Sequence, residues 1–482
     1  MLAVVNVLGS MLMLFSVTYV LPMATSLIYR DGLLAEFVYA ALLCAGAGAL
    51  VYATTRRHRR ELRSRDGFLL VTLAWVSMSA TSTVPLLLAL PGLSFTDAFF
   101  ETMSGLSTTG ATVLTGLDTM APSINMWRAS LHWYGGMGII VLAVAILPLL
   151  GVGGMQLYKA ETPGPVKNEK LTPRITQTAK ALWVVYFLIT AACVVALRVA
   201  GMGWYDAVFH AFSTLSLGGF SNYDASIAHF DSLAIELVLV FFMLVSALNF
   251  SRHFIAWQQK SLRGYLRDVE AVAMLKLVGL GIVVVSLYIW LEGVYPDFLT
   301  ALRHTTFNLV AVATTCGYVT QDYAVWPVFA PMVILMLSCY TCNTGSTGGG
   351  IKMFRTLVLY QQAVRELWLI VHPQAVTPVK IRDQVVANQV VFAVLAFVVL
   401  YFGTVVTLTF VLLASGLDLV SSFTAIIATI NNTGPGLGVV GPASNFQGLT
   451  DFQTWVCSLA MLLGRLEIFS VLVLLTPAYW RK

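Results

Sequence analysis

The chain has 482 residues, of which 58% are hydrophobic and only 11% charged, and its mean hydropathy is +0.81. A soluble protein carries about a quarter charged residues, so this composition excludes a soluble enzyme or binding domain and predicts a polytopic membrane protein. The net charge of +5 matters through its placement, because Arg56–Arg65, Lys159–Lys180, Arg252–Lys276, Lys352–Arg382 and the final Arg481-Lys482 hold 23 of the 28 Lys and Arg. These runs border apolar segments, so they predict cytoplasmic loops by the positive-inside rule and speak against a nucleic-acid partner. The six cysteines are scattered through apolar sequence and read as buried free thiols. Cys339 and Cys342 form a CxxC, yet no second pair or His pair completes a zinc-type ligand set.

A spanning helix needs about 20 apolar residues, and about ten candidates are found. Residues 2–28 form the first, which lacks a basic start and a cleavage site and reads as a retained helix. Leu33–Thr54 forms the second, and together they make an N-terminal two-helix unit, residues 1–66. Four similar blocks follow, at 67–158, 159–269, 270–382 and 383–482. The first has an outer helix at Phe68–Leu90, a half-span at Asp97–Ser107 and an inner helix from Asn125 to about Leu150. The second has Ala181–Ala200, Asp206–Ser216 and Asp231–Ala256. The third has Ala271–Leu291, Thr300–Ala313 and a run from Val325. The fourth has Ala387–Ala414, Leu419–Ile430 and Thr454–Thr476.

Each half-span ends in a small, uncharged stretch around a glycine. These read Thr109-Gly110-Ala111, Gly218-Gly219-Phe220, Cys316-Gly317-Tyr318 and Thr433-Gly434-Pro435, with central glycines 109, 98 and 117 residues apart. The register extends upstream: Asp97, Asp206, His304 and Ser421 each lie 13 residues before the glycine, where Asp or Ser suits a helix N-cap. The residue after the glycine changes freely, so the shared feature is a backbone shape that glycine permits. Irregular backbone at membrane depth is tolerated only where it lines a water-filled cavity or is buried in protein. Four such turns around one axis would satisfy that rule together and would form rings of carbonyl oxygens, the device that replaces the hydration shell of K⁺. The expected fold is therefore an all-α polytopic membrane protein with four pseudo-repeats around one pore. An even number of spans and a basic tail predict that both termini are cytoplasmic. The glycine turns then enter from outside, where Asp118, Asp224 and Asp322 either draw cations to the mouth or serve as solvated loop residues.

This pattern resembles the TrkH/TrkG/KtrB superfamily of bacterial potassium uptake proteins, its TrkH branch above all. The resemblance covers nearly the whole chain, including the N-terminal unit, and Thr314-Thr315-Cys316-Gly317-Tyr318 is also similar to the filter of tetrameric K⁺ channels. It implies K⁺ uptake across the bacterial inner membrane, with ions held by backbone carbonyls around Gly110, Gly219, Gly317 and Gly434. In related plant transporters a serine at the first of these positions accompanies Na⁺ permeation, so Gly110 favours K⁺. The resemblance further implies a homodimer with a pore in each protomer. It implies a cytosolic TrkA-like nucleotide-binding ring that controls opening, and no organic cofactor on this chain.

Two further features stand out. Asn343-Thr344-Gly345-Ser346-Thr347-Gly348-Gly349-Gly350, within loop 343–351, interrupts the third inner segment and cannot face lipid. In TrkH-like proteins a loop at this place obstructs the pore from inside, so it is read as the gate, with a structural kink as the alternative. Its likeness to a phosphate-binding loop fails, because Lys352 is displaced by one position and no Ser or Thr follows it. Arg465 lies within the last apolar run, and so costly a residue should face protein or water. It is expected beside the gating loop, or alternatively in an ion pair with Glu467 or another carboxylate. His132, His210 and His304 show no metal spacing and read as core or interface residues, and Glu236 and Asn249 as vestibule or interhelical groups. Competing functions are a secondary cation carrier with a midplane site, which would show two-fold repetition, and a less selective K⁺/Na⁺ pore. An intramembrane enzyme would need converging catalytic groups, and none is evident.

Overall fold

Backbone groups in hydrocarbon must be satisfied within their own segment, so the long apolar runs fold as helices. The computed structural model describes all residues except 59, 61, 142–174, 383 and 482. The first span comprises α1 (Leu2–Phe15) and α2 (Val20–Tyr29), joined by a 3₁₀ turn. It packs against α3 (Leu34–Thr55) through Gly9 and Gly48, where a methyl group on either would meet the other helix's backbone at 2.7–2.8 Å. Small residues permit such close contact between membrane helices.

The four blocks then repeat one order. Block one has α4 (Ser64–Ala89), α5 (Phe95–Leu106) and α6 (Pro122–Val141). Block two has α7 (Ile175–Val199), α8 (Trp204–Leu215), α9 (Leu233–Ala247) and α10 (Phe250–Gln259). Block three has α11 (Val269–Leu291), α12 (Phe298–Ala313), α13 (Phe329–Ser338) and α14 (Met353–Val371). A two-stranded antiparallel hairpin, Lys380–Ile381 with Gln384–Val385, precedes block four. Block four has α15 (Asn388–Ala414), α16 (Leu419–Ile430), α17 (Asp451–Arg465) and α18 (Phe469–Leu475). Among the described residues, six helices are long and apolar enough to span a membrane, and eight spans result if each of two bent pairs is one. The inner segments α6 and α13–α14 are not among these eight: α6 carries Arg128 and His132, and α13 has ten residues.

The inner segments differ most from expectation. The second and fourth are not single helices: α9 and α10 meet at 97°, and α17 and α18 at 115°. The second break has a physical cause in Asn249, whose side chain accepts from Ser251 N and starts a new helix. The fourth break follows Arg465, where Glu467 and Ile468 take positive φ. The predicted continuation of the first inner helix to Leu150, and the basic stretch from Lys159 to Arg174, lie outside the described residues.

The half-span caps also correct the sequence reading. Asp97, Asp206 and Ser421 are not N-caps but lie three residues further in, and the caps are Ser94, Gly203 and Asp418. Ser94 accepts from Asp97 N at 3.0 Å and Asp418 from Ser421 N at 2.9 Å. A carboxylate one turn inside still suits the positive end of the helix dipole. In the longer α12 the cap is Asp297, so His304 falls well within the helix.

Two large apolar cores hold these elements. One joins the N-terminal unit to blocks one and four, through residues such as Phe37, Trp127, Tyr401 and Met461. The other joins blocks two and three. The glycine turns lie where the two cores meet.

Candidate functional site: a ring of four glycine strands

Each half-span helix ends in the same hydrogen-bond pattern. The residue two before the glycine donates to the carbonyl three back, and the next residue to the carbonyl five back. Thus Thr108 N reaches Gly105 O at 3.1 Å and Thr109 N reaches Ser104 O at 2.9 Å. Leu217 and Gly218, Thr315 and Cys316, and Asn432 and Thr433 repeat this pair of bonds. This is the Schellman termination, which needs a left-handed residue just past the helix cap. Here that residue is Thr108, Leu217, Thr315 or Asn432, with φ between 54° and 61°. The glycines two positions on are also left-handed, with φ of 80°, 79°, 82° and 95°. Alternating hand along a strand aims successive carbonyls to one side.

The four strands close on one another in cyclic order. A methyl group built on Gly110 would collide with Gly218 O, one on Gly219 with Cys316 O, and one on Gly317 with Thr433 O. On Gly434 it would approach Thr109 O at 2.9 Å, which returns to the first strand. Each glycine therefore faces the carbonyl just before the next block's glycine. Asn432 adds a side-chain bond across the last junction, donating to Thr109 Oγ1 at 2.9 Å. A cavity of about 90 Å³ is lined by all four glycines, with Ala111, Phe220 and Pro435 beside them.

A family profile described as TrkH, cation transport protein, matches residues 34–482. The chain belongs to the TrkH family. The Trk system potassium uptake protein TrkH of Halomonas elongata is 47% identical over 485 residues, covering 99% of each chain. That of Escherichia coli K12 is 43% identical over 481 residues, covering 100% of this chain and 99% of the other. The crystal structure of the potassium transporter TrkH from Vibrio parahaemolyticus superposes with a TM-score of 0.91 at 43% identity, covering 100% of this chain and 99% of that one.

Within this TrkH-family chain, the aromatic side chains after the second and third glycines find partners on neighbouring elements. Phe220 stacks on His132 at 4.0 Å, and Tyr318 donates to His210 O behind the second strand. His132 also bonds Ser213 Oγ at 3.0 Å, and His304 stacks on Tyr295. All three histidines thus sit in packed interfaces.

Loop 343–351 lies at the inner ends of the half-span helices. Thr347 donates to Leu215 O at the end of α8, and Gly349 N donates to Thr315 Oγ1 beside the third strand. Gly349 also abuts Asn431 O at the end of α16. Three clamps hold the loop. Asn343 N bonds Ala247 O and Phe250 N bonds Gly345 O, so the loop is stitched into the α9–α10 break. Glu270 at the head of α11 accepts from Thr344 N at 2.8 Å. Arg465 donates to Thr347 O at 2.9 Å and to Gly135 O of α6 at 2.8 Å. Arg465 is thus bound to backbone carbonyls, while Glu467 pairs with Arg355 of α14 at 2.7 Å. Lys352 Nζ turns back on Gly348 O within the loop itself.

Several other groups have partners that the sequence did not disclose. Asp224 accepts from Gly116 N and Leu117 N, and Asp118 accepts from Asp224 N, so these carboxylates join the loops that follow the first two strands. Asp322 caps its own turn through Ala324 N. Glu236 pairs with Arg303 of α12 at 2.6 Å, an interhelical role. All six cysteines are buried free thiols. Sequence reasoning missed Glu101 and Arg128, a fully buried ion pair at 2.7 Å behind the first strand. A signal was present, since both are charged residues inside intramembrane segments.

Proposed function

We propose that this protein carries K⁺ through the four-strand ring, with carbonyls of Thr109, Gly110, Ala111, Gly218, Gly219, Phe220, Cys316, Gly317, Tyr318, Thr433, Gly434 and Pro435 forming the filter. The observation that carries this reading is the cyclic closure of the strands, each glycine facing the next strand's carbonyl. A ring so closed presents oxygens at fixed spacing, which a partly dehydrated cation needs. The relatives named as potassium uptake proteins, at up to 47% identity over the full length, support the same cargo. The activity is transport rather than catalysis, and K⁺ is cargo, with no organic cofactor on this chain.

Loop 343–351 is the gate in this reading, and Arg465 is its latch. The loop's contacts at the ends of α8, α12 and α16 support that role, because a segment held there lies across the path below the ring. The division into an N-terminal unit, 1–66, and pore repeats at 67–158, 159–269, 270–382 and 383–482 belongs to the same reading. So do a homodimer with one pore per protomer, a cytosolic TrkA-like nucleotide-binding ring, and a bacterial inner-membrane location with both termini cytoplasmic. The basic runs at the inner ends of the helices support that orientation.

The test is ion flux in proteoliposomes, protein alone and with its cytosolic ring, under a K⁺ or a Na⁺ gradient, wild type beside Gly110→Ser. The expected result is K⁺-selective flux in wild type that loses its preference in the variant. Equal K⁺ and Na⁺ flux in wild type would establish the less selective pore instead. Absence of flux in the presence of the ring would overturn the filter.

A further inference from the structure

Nine residues before each ring glycine, the half-span helices carry Glu101, His210, Asn308 and Ala425. All four are buried, and each of the first three braces the strand just past its own glycine. Glu101 accepts from Thr112 Oγ1 and Val113 N, both at 3.0 Å. His210 Nε2 lies 3.3 Å from Ser221 Oγ. Asn308 accepts from Thr320 N at 3.1 Å and donates to Thr320 Oγ1 at 3.0 Å. Ala425 has no polar atom, and Thr424 takes over, accepting from Leu437 N at 2.9 Å and donating to Leu437 O at 3.2 Å. Every strand therefore has a strut behind it, but the four struts differ in chemistry.

The first strut alone of these four is an ion pair, and it holds two strands. Arg128 Nε donates to Glu101 at 2.7 Å, and both side chains are 1% exposed or less. Arg128 Nη1 donates to Ser221 O of the second strand at 3.0 Å, and to Asn125 Oδ1 at 3.1 Å. Its guanidinium lies over the Phe220 ring at 4.2 Å. Glu101 thus grips strand one, Arg128 grips strand two, and the pair fixes the distance between them. Glu101 does not line the four-glycine cavity, whereas Arg128 is among its lining residues.

We propose that Glu101 and Arg128 are positioning residues that set the discrimination of K⁺ from smaller cations. This rests on the filter reading above. One way for a carbonyl ring to reject a smaller ion is to resist contracting around it. Charge-assisted hydrogen bonds are shorter and about twice as strong as neutral ones, and burial protects them from screening. The strands joined by the ion pair therefore form the stiff side of the ring. The strands braced by Asn308 and Thr424 form the compliant side.

The experiment compares K⁺ and Na⁺ flux in proteoliposomes with the cytosolic ring present. The key variant is Glu101→Gln/Arg128→Gln, which removes both charges together and leaves neither stranded. The expected result is K⁺ flux within a few-fold of wild type and a K⁺/Na⁺ ratio lower by roughly tenfold, equivalent to about 1.4 kcal/mol. Arg128→Lys keeps the charge but has no fork to reach Glu101 and Ser221 O at once, so it should lose part of the ratio. Thr112→Val removes the hydroxyl that Glu101 holds and should lose a smaller part. A folded double variant with the wild-type ratio would overturn the proposal. If that variant does not assemble, an unchanged ratio in both Arg128→Lys and Thr112→Val overturns it. Selective flux in wild type keeps the filter reading standing in either case, so the two failures are distinguishable.

Discussion

The glycine ring and the level of the inner-helix breaks are built on opposite plans. In the ring, four unrelated side-chain sets adopt one backbone, with the same helix termination and the same two left-handed positions in every block. A few residues further in, no two described inner segments agree: α6 runs unbroken to Val141, α9–α10 bends by 97°, α13–α14 is split by a loop, and α17–α18 bends by 115°. Regularity suits a site that must surround a spherical ion evenly. Irregularity suits a barrier, because one loop can fill a central path only if the other three segments make room and supply partners for it.

The largest effect should come from breaking the regular level. Gly219→Ala and Gly317→Ala each place a methyl against the neighbouring strand's carbonyl at positive φ. The left-handed backbone alone costs such a residue roughly 1–2 kcal/mol, and the collision adds to it. We expect K⁺/Na⁺ selectivity to fall by about tenfold or more, since 1.4 kcal/mol is a factor of ten. Gly434→Ala, with its nearest contact at 2.9 Å, should fall less. Equal losses at all three would show that the ring does not close as described.

Arg465→Gln strikes the irregular level. It weakens hydrogen bonds to Thr347 O and Gly135 O, and bonds to a charged group are worth about 1.5–3 kcal/mol. K⁺ flux without the cytosolic ring should rise by about tenfold, with the K⁺/Na⁺ ratio unchanged. Unaltered flux and gating would remove Arg465 as the latch. Glu270→Gln loosens the second clamp, at Thr344 N. Its neutral amide still accepts, so the same flux assay should show a rise of only about fivefold, roughly 1 kcal/mol.

Asn249→Ala removes the cap that starts α10. A lost cap costs about 1 kcal/mol, and we expect a lower thermal midpoint of the purified protein with selectivity intact. The smallest effect should be that of Asp224→Asn, an exposed loop residue in the lining of the four-glycine cavity. K⁺ flux at physiological salt should change by less than about twofold, because exposed charges are screened over about 8 Å. A larger drop would make the outer loops part of the conduction path.

The sequence alone determined the class, the half-spans and the register of the four glycines. These follow from local composition: too few charges for water, runs too short to span, and a glycine at each end. Leu419–Ile430 was bounded correctly from sequence, although its cap is Asp418 and not Ser421. The caps at Ser94 and Gly203 were misjudged by one turn, since spacing from the glycine fixes a register but not where a helix starts. Only the tertiary structure decided which carbonyl each glycine meets, where α9 and α17 break, and that Glu101 finds Arg128 27 residues away. The glycine–carbonyl meetings join blocks far apart in the chain, and the ion pair depends on how block one folds back on itself. A buried charge or a left-handed threonine is affordable only where distant neighbours supply its partners.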